Sequence, residues 1–253
     1  MTVYKERFDT LCREFNSDWH IQSHIGTYNE KRLHLILKKM VTDDVKCHEV
    51  SVGNYKADVF CDGRITEIQT GSLYPLQKKI KYYLESTEHS VTVIHPVIAQ
   101  KNIVRVDKES GEVLRYRKSP KKPKAGEIFE QIYYIGDSAK SERLEIVVLY
   151  ISADEYRYSD EAVRYRRSGK YDSELFPRSL LGFERYSGLE SYKFLLDGCL
   201  DVFEAKEYSA LKGFSGRALY STLNLLCKLG LVERSKKDNG KYEYRILGLT
   251  KEK

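Results

Sequence analysis

The sequence predicts an α/β protein with a mixed sheet, followed by a smaller unit of two helices and a β-hairpin. Three observations lead there. Short strand-like runs alternate with helical stripes over residues 29–152. Two of the runs, SVTVIHPVI (90–98) and LEIVVLYIS (144–152), are almost wholly apolar and β-branched, the pattern of strands covered on both faces. From Leu189 onward the pattern changes to helix, helix and a turn-linked pair of strands.

Taken in order, the opening MTVYKERFDTLCREF scatters its charges and has no apolar run, so it does not read as a signal peptide. Asn29 is a good N-cap for EKRLHLILKKMV, whose Leu33, Ile36, Leu37 and Met40 share one face. HEVSVG (48–53), YKADVFC (55–61) and RITEIQT (64–70) read as strands joined at Gly53-Asn54 and Asp62-Gly63. SLYPLQKKIKYYLES then reads as a helix, with Leu73, Leu76, Ile80, Tyr83 and Leu84 at helical spacing. Beyond residues 90–98, NIVRVDKESGEVLRYR reads as a hairpin around Glu109–Gly111 and GEIFEQIYYIGD as a helix. Residues 156–188 lose this regularity and read as a connector with some helix. LDGCLDVFEAKEYSALKG and SGRALYSTLNLLCKLG read as helices; Ser215 caps the second, and Leu219, Leu223, Leu226 and Leu229 form its buried stripe. LVERSKKDNGKYEYRIL reads as a hairpin turning at Asp238-Asn239-Gly240. The expected organisation is a first domain over 1–155, the connector over 156–188 and a second domain over 189–253.

Composition narrows the setting. The chain is 41% hydrophobic and 32% charged, and no apolar run approaches transmembrane length, so no membrane partner is expected. Its five cysteines are widely spaced without a C-x-x-C pair, which suggests reduced thiols in a cytoplasmic protein rather than a zinc site or disulfide framework. The net charge is +6, concentrated in RYRKSPKKPK (115–124), RYRRSGK (164–170) and SKKDNGK (235–241). Each cluster alone is ordinary solvated surface. Together they point to a nucleic-acid partner, with Arg117, Lys118, Lys121 and Lys122 as phosphate contacts.

One hairpin carries chemistry. With Asp62-Gly63 as the turn, Cys61 pairs with Arg64, Phe60 with Ile65, Val59 with Thr66, Asp58 with Glu67 and Lys56 with Gln69. Lys56, Asp58, Glu67 and Gln69 then share one face. Opposed side chains have Cβ atoms about 5 Å apart, and like charges there repel. A divalent cation would offset the repulsion, because Mg²⁺ is commonly held by one or two carboxylates. A solvated face screened by Lys56 and Arg64 is the other reading, and both stay open at this point. Glu30, at the N-terminal end of the Leu33–Met40 stripe, either complements the helix dipole or points inward at a polar site.

Glu30 on a helix, Asp58 on a strand and Glu67-Ile68-Gln69 on the next strand resemble the PD-(D/E)xK, or restriction-endonuclease-like, nuclease superfamily. Its α-β-β-β-α-β core matches residues 29–98 in order and spacing. NEKRLHLILKK, HEVSVGNYKADV and EIQTGS also resemble an uncharacterised family of bacterial nuclease-like proteins. The resemblance implies Mg²⁺, or Mn²⁺ in its place, held by Glu30, Asp58, Glu67 and the Ile68 carbonyl. Two positions depart from the pattern: Ala57 stands at the family proline, and Gln69 at the family lysine, as in E-x-Q members. Gln69 can orient a water but cannot stabilise developing charge as a lysine would. Lys56, opposite Gln69, is one substitute. Lys79, flanking the next helical stripe, is another, although its ordinary reading is solvated surface. His34 reads as a packed or partly exposed helix histidine.

The tail from about Leu189 to Leu249 resembles a winged helix. That implies contact with DNA, duplex by preference, through Arg217 at base edges and Lys236, Lys237 and Lys241 at phosphates. The expected function is a Mg²⁺-dependent DNA nuclease positioned by this module. The alternatives are a catalytically inactive DNA-binding regulator or assembly subunit and, less well fitted to the acids, a protein-interaction adaptor. A homodimer is compatible with either.

Overall fold

The computed structural model describes residues 2–17, 29–159 and 172–248, with side chains at 2, 3, 29–31, 159 and 172 excepted. The basic run 164–170 lies outside these residues, as do the side chains of Glu30 and Asn29. Among the described residues no helix is long and apolar enough to cross a membrane.

The chain is α/β with a mixed sheet. Two helices come first, α1 (Thr2–Ser17) and α2 (Asn29–Val41). Three strands follow: β1 (His48–Val52), β2 (Tyr55–Cys61) and β3 (Arg64–Ile68). Helix α3 (Gln77–Ser86) crosses to β4 (Ser90–Asp107), which folds back into β5 (Val113–Lys118). Helix α4 (Glu127–Ile135) then leads to β6 (Leu144–Ser159) and β7 (Asp172–Ser187). The sheet order is β1-β2-β3-β4-β6-β7, with β5 on the far half of β4. The β3–β4 and β4–β6 pairs are parallel and the rest antiparallel. Parallel neighbours need a crossover connection, and α3 and α4 lie on the two crossovers.

Alternation along the central strands sends side chains to two cores. Val91 and Val93 of β4 and Ile146 and Val148 of β6 pack with Leu73, Ile80 and Tyr83 on the α3–α4 side. Ile94, Leu149 and Ile151 pack instead with Phe8, Leu11, Leu33, Ile36 and Leu37 on the α1–α2 side. Both helical stripes expected from spacing are therefore core faces.

Several expectations change. Strands β4 and β6 are far longer than the 90–98 and 144–152 runs and stay paired along their length, Asp107 reaching Ser159. The stretch read as a connector with some helix holds a strand: β7 runs antiparallel to β6 from Asp172–Tyr158 to Ser187–Glu145. Pro177 and Gly182 mask it in the sequence. An edge strand tolerates proline, since no ladder bond is needed on its open side. The register shifts beside Pro177 and Gly182 also break the alternation.

The C-terminal unit places β8 (Val202–Glu204) before α5 (Ala205–Lys212), where one continuous helix was expected. Helix α6 (Gly216–Leu229), β9 (Val232–Lys236) and β10 (Tyr242–Ile246) complete it, with sheet order β8-β10-β9. It is not an independent bead. Tyr208, Leu219, Leu223 and Leu226 belong to the same core as Phe129 and Ile132 of α4. A Cβ on Gly126, whose φ is +76°, would stand 2.9 Å from the Phe214 ring, so the two units close on each other without room for a side chain there.

Candidate functional site

Strands β2 and β3 form a fork. The turn has the expected geometry, with Asp62 at φ 50° and Gly63 at φ 73°, the paired positive values of a type I′ hairpin. Pairing then runs through Cys61–Arg64, Phe60–Ile65 and Val59–Thr66, as the sequence predicts, and stops there. Beyond Val59, β2 pairs only with β1, so Lys56 lies opposite Ser51 and not opposite Gln69. Asp58 and Glu67 lie just past the point of divergence.

The repulsion expected between the two acids is offset within the chain. Asp58 Oδ2 accepts from the Ile68 backbone N–H at 2.7 Å and from His34 Nε2 at 3.2 Å. The first bond satisfies an amide left unpaired where the strands part. Burial works to raise the Asp58 carboxyl, but these hydrogen bonds outweigh it and hold it below the ordinary carboxylate range. Its Oδ1 has no hydrogen-bond partner among the described residues.

Glu67 is sealed, at 1% exposure. Lys79 Nζ reaches its Oε2 at 2.6 Å and the Tyr83 hydroxyl donates to its Oε1 at 3.3 Å. Burial pushes its carboxyl up to about 7, Lys79 pulls the other way, and Asp58 adds a smaller upward push. Glu67 and Asp58 thus form a pair of carboxyls whose environments drive their proton affinities apart, the pattern of sites that divide acid and base roles. Lys79 comes from the flank of the α3 stripe and is 17% exposed, so its surface reading is overturned. Lys56 is 61% exposed and reaches Glu49 Oε2 at 3.3 Å, with Glu49 itself 43% exposed.

Two residues enter from α2. His34 sits on Asp58, and Lys38, one turn on, ion-pairs with Glu49. Lys38 is 5% exposed, and burial lowers its pKa while Asp58 works to raise it. Glu49 adopts φ 54°, uncommon for a non-glycine residue and often a sign of a constrained position. Lys38 was missed because it reads as one of two lysines after the stripe; position i+4 from His34 was the available signal. Position 30 is one turn before His34.

Gln69 does not turn toward the acids. Its Nε2 donates to the Ser72 carbonyl, and its own carbonyl accepts from His95 Nδ1 at 2.7 Å. His95 lines an open groove of about 1060 Å³ that starts at Thr70 and Gly71, one residue past Gln69. The loop Lys121–Lys124 forms part of its wall. Arg117 and Lys118 are on β5, not in a loop. Among the described residues no group of three or more His, Cys, Asp and Glu is arranged to hold a metal.

In the C-terminal unit Arg217 faces α4. Its Nη2 donates to the Tyr134 hydroxyl at 3.0 Å, and its Nε lies 3.6 Å from Glu130. Lys237 pairs with Glu204 at 2.9 Å, while Lys236 and Lys241 are exposed.

A family model described as Domain of unknown function (DUF8091) matches residues 31–185, from α2 to the end region of β7 and including the whole fork. A protein of Treponema pallidum (strain Nichols), described as uncharacterized, is 32% identical over 143 residues. That match spans 56% of each chain, about half the relative's length. No solved structure matches.

Proposed function

The chain belongs to the DUF8091 family, and we propose that it is a Mg²⁺-dependent nuclease that hydrolyses DNA phosphodiester bonds at the β2–β3 fork. The fold proposed for residues 29–98 is the restriction-endonuclease-like core, and that for the tail a winged helix. One observation carries the reading: the cation that the E-x-Q sequence lacks is delivered from α3, where Lys79 lies 2.6 Å from Glu67. A lysine beside a metal-binding carboxylate can stabilise charge developing on the phosphate.

The donors fit a hard divalent cation by their chemistry. Asp58, Glu67 and the Ile68 carbonyl offer oxygens, Asp58 Oδ1 has no partner among the described residues, and Mg²⁺ commonly takes one or two carboxylates and keeps waters. When bound, Mg²⁺ supplies a Lewis acid at the phosphate and a more acidic water. The chain's own residues do the rest. His34 and the Ile68 N–H fix Asp58 in one rotamer. Lys79 and Tyr83 fix Glu67, and Lys38 adds positive potential for an incoming phosphate. Arg117, Lys118, Lys121 and Lys122 supply backbone contacts, with Lys236 and Lys241 a second patch. Arg217, bonded to α4, serves docking of the tail better than base reading.

The inactive DNA-binding reading draws on a specific observation as well: both oxygens of Glu67 and one of Asp58 already accept from protein donors. Incubation of plasmid and linear DNA with Mg²⁺ or EDTA separates the two. Cleavage with Mg²⁺, none with EDTA and none by Asp58→Asn supports the nuclease. Binding without cleavage under every metal supports the inactive form.

A further inference from the structure

We propose that the groove beyond Gln69 is a track for unpaired, single-stranded DNA, leading one strand to the fork. The inference deepens the nuclease reading and rests on it for its biological sense, though not for its test. Three features of the groove carry it.

The first is charge. Among the described residues five cations line the groove, Lys101, Lys121, Lys122, Lys124 and Arg185, against two carboxylates, Glu127 and Glu184. Lys101 is held by Glu155 at 2.5 Å and Arg185 reaches toward Glu145. Lys121, Lys122 and Lys124 are exposed and have no ion-pair partner among the described residues. Three exposed ammonium groups on one short loop create a local positive field that attracts a polyanion.

The second is an exposed aromatic in the lining. Phe194 lines the groove and is 47% exposed, although it is a large apolar side chain. Its ring is set by Phe129 at 6.1 Å and by Tyr186 at 6.3 Å in a stacked arrangement. A half-exposed aromatic in a groove that is also lined by lysines is the combination used to hold single strands, where bases stack and phosphates meet cations. A duplex hides its base faces and could not use Phe194.

The third is direction. Thr70 and Gly71 line the groove, and His95 in its wall donates to the Gln69 carbonyl. A strand lying in the groove therefore ends beside the segment that carries Glu67. The volume, about 1060 Å³, is at the upper end of small-molecule pockets, and the groove is open, as a track for a polymer must be.

The test is fluorescence anisotropy of the full chain with a labelled oligothymidylate in EDTA, over a salt series, with a blunt duplex as competitor. Wild type should bind the oligothymidylate, with the duplex a weaker competitor. The triple variant Lys121→Ala, Lys122→Ala, Lys124→Ala should flatten the salt slope by about 0.7 per lost contact. Phe194→Leu, which keeps an apolar side chain over Phe129, should weaken binding by about tenfold without changing that slope. No oligothymidylate binding, unchanged binding by both variants, or preference for the duplex overturns the track. Strand binding without Mg²⁺-dependent cleavage would leave the track standing and remove the nuclease. Cleavage with unchanged binding in the variants would do the reverse.

Discussion

The fork and the groove hold their charges in opposite ways. At the fork every described ionic side chain is committed: Asp58 to His34, Glu67 to Lys79, Lys38 to Glu49. In the groove wall Lys121, Lys122 and Lys124 are exposed, with no ion-pair partner among the described residues. The contrast separates two physical demands. Buried charge is tolerated only with a partner in good geometry, so a preorganised site must carry both signs. Exposed charge costs little to leave unpaired and gains from long-range attraction, so a capture surface carries one sign. Substitutions should therefore be severe and local at the fork, mild and salt-dependent in the groove.

The largest effect is expected for Lys79→Ala. Removing one partner of a buried pair leaves the other uncompensated, at a cost on the order of 3 kcal/mol when Glu67 is ionised. Cleavage should be lost as well. Lys56→Ala removes an exposed pair worth at most about 1 kcal/mol and should leave most activity. Denaturant melts at pH 8 with parallel cleavage assays compare them. If Lys56→Ala is the more damaging, the missing lysine of the motif has been placed on the wrong element.

A second expectation concerns pH. The Glu67 carboxyl is raised by burial from 4.5 to about 7, so the folded chain holds a proton that the unfolded chain has lost in that window. The stabilisation is complete below pH 4.5 and disappears as pH rises through about 7, at most about 3 kcal/mol. Glu67→Gln should lack this decline. Parallel pH dependences of unfolding for the two proteins between pH 4.5 and 7 would contradict the burial account.

The smallest effect is expected at Arg217. It is 74% exposed and its bonds to α4 are surface contacts, so Arg217→Ala should lower stability by under about 1 kcal/mol. It should leave any sequence preference in DNA binding unchanged. A relaxed preference would restore Arg217 as a base reader.

What the sequence made legible follows from how local each signal is. The Leu33–Leu37 and Leu73–Tyr83 stripes and the Asp62-Gly63 turn are set by short-range periodicity and backbone sterics, and all stand in the structure. The hairpin register held for the pairs next to the turn, where it is set locally, and failed beyond Val59. There β3 remains bound to β4 on its other edge, up to Ile68–Ile94, while β2 departs with β1. Strand β7 was hidden because Pro177 and Gly182 are breakers only in a central strand, and edge position is not written locally. Lys79 could not be placed, since a long side chain beside a stripe is directed by whatever buried acid the fold brings near it. Helix α6 held a signal that went unused. Ala218, Leu219, Thr222, Leu223, Leu225 and Leu226 are all buried, and so wide an apolar surface marks a helix packed on two sides.

The central claim is that the fork takes a divalent cation between Asp58 and Glu67, and Mn²⁺ binding tests it most directly. The paramagnetic signal of free Mn²⁺ is titrated with wild type and with a variant carrying Asp58→Asn and Glu67→Gln. The account predicts saturable loss of the free signal with wild type and none with the variant, whose fold is checked by its far-UV spectrum. Equal uptake by both proteins, or no uptake by wild type, would contradict it.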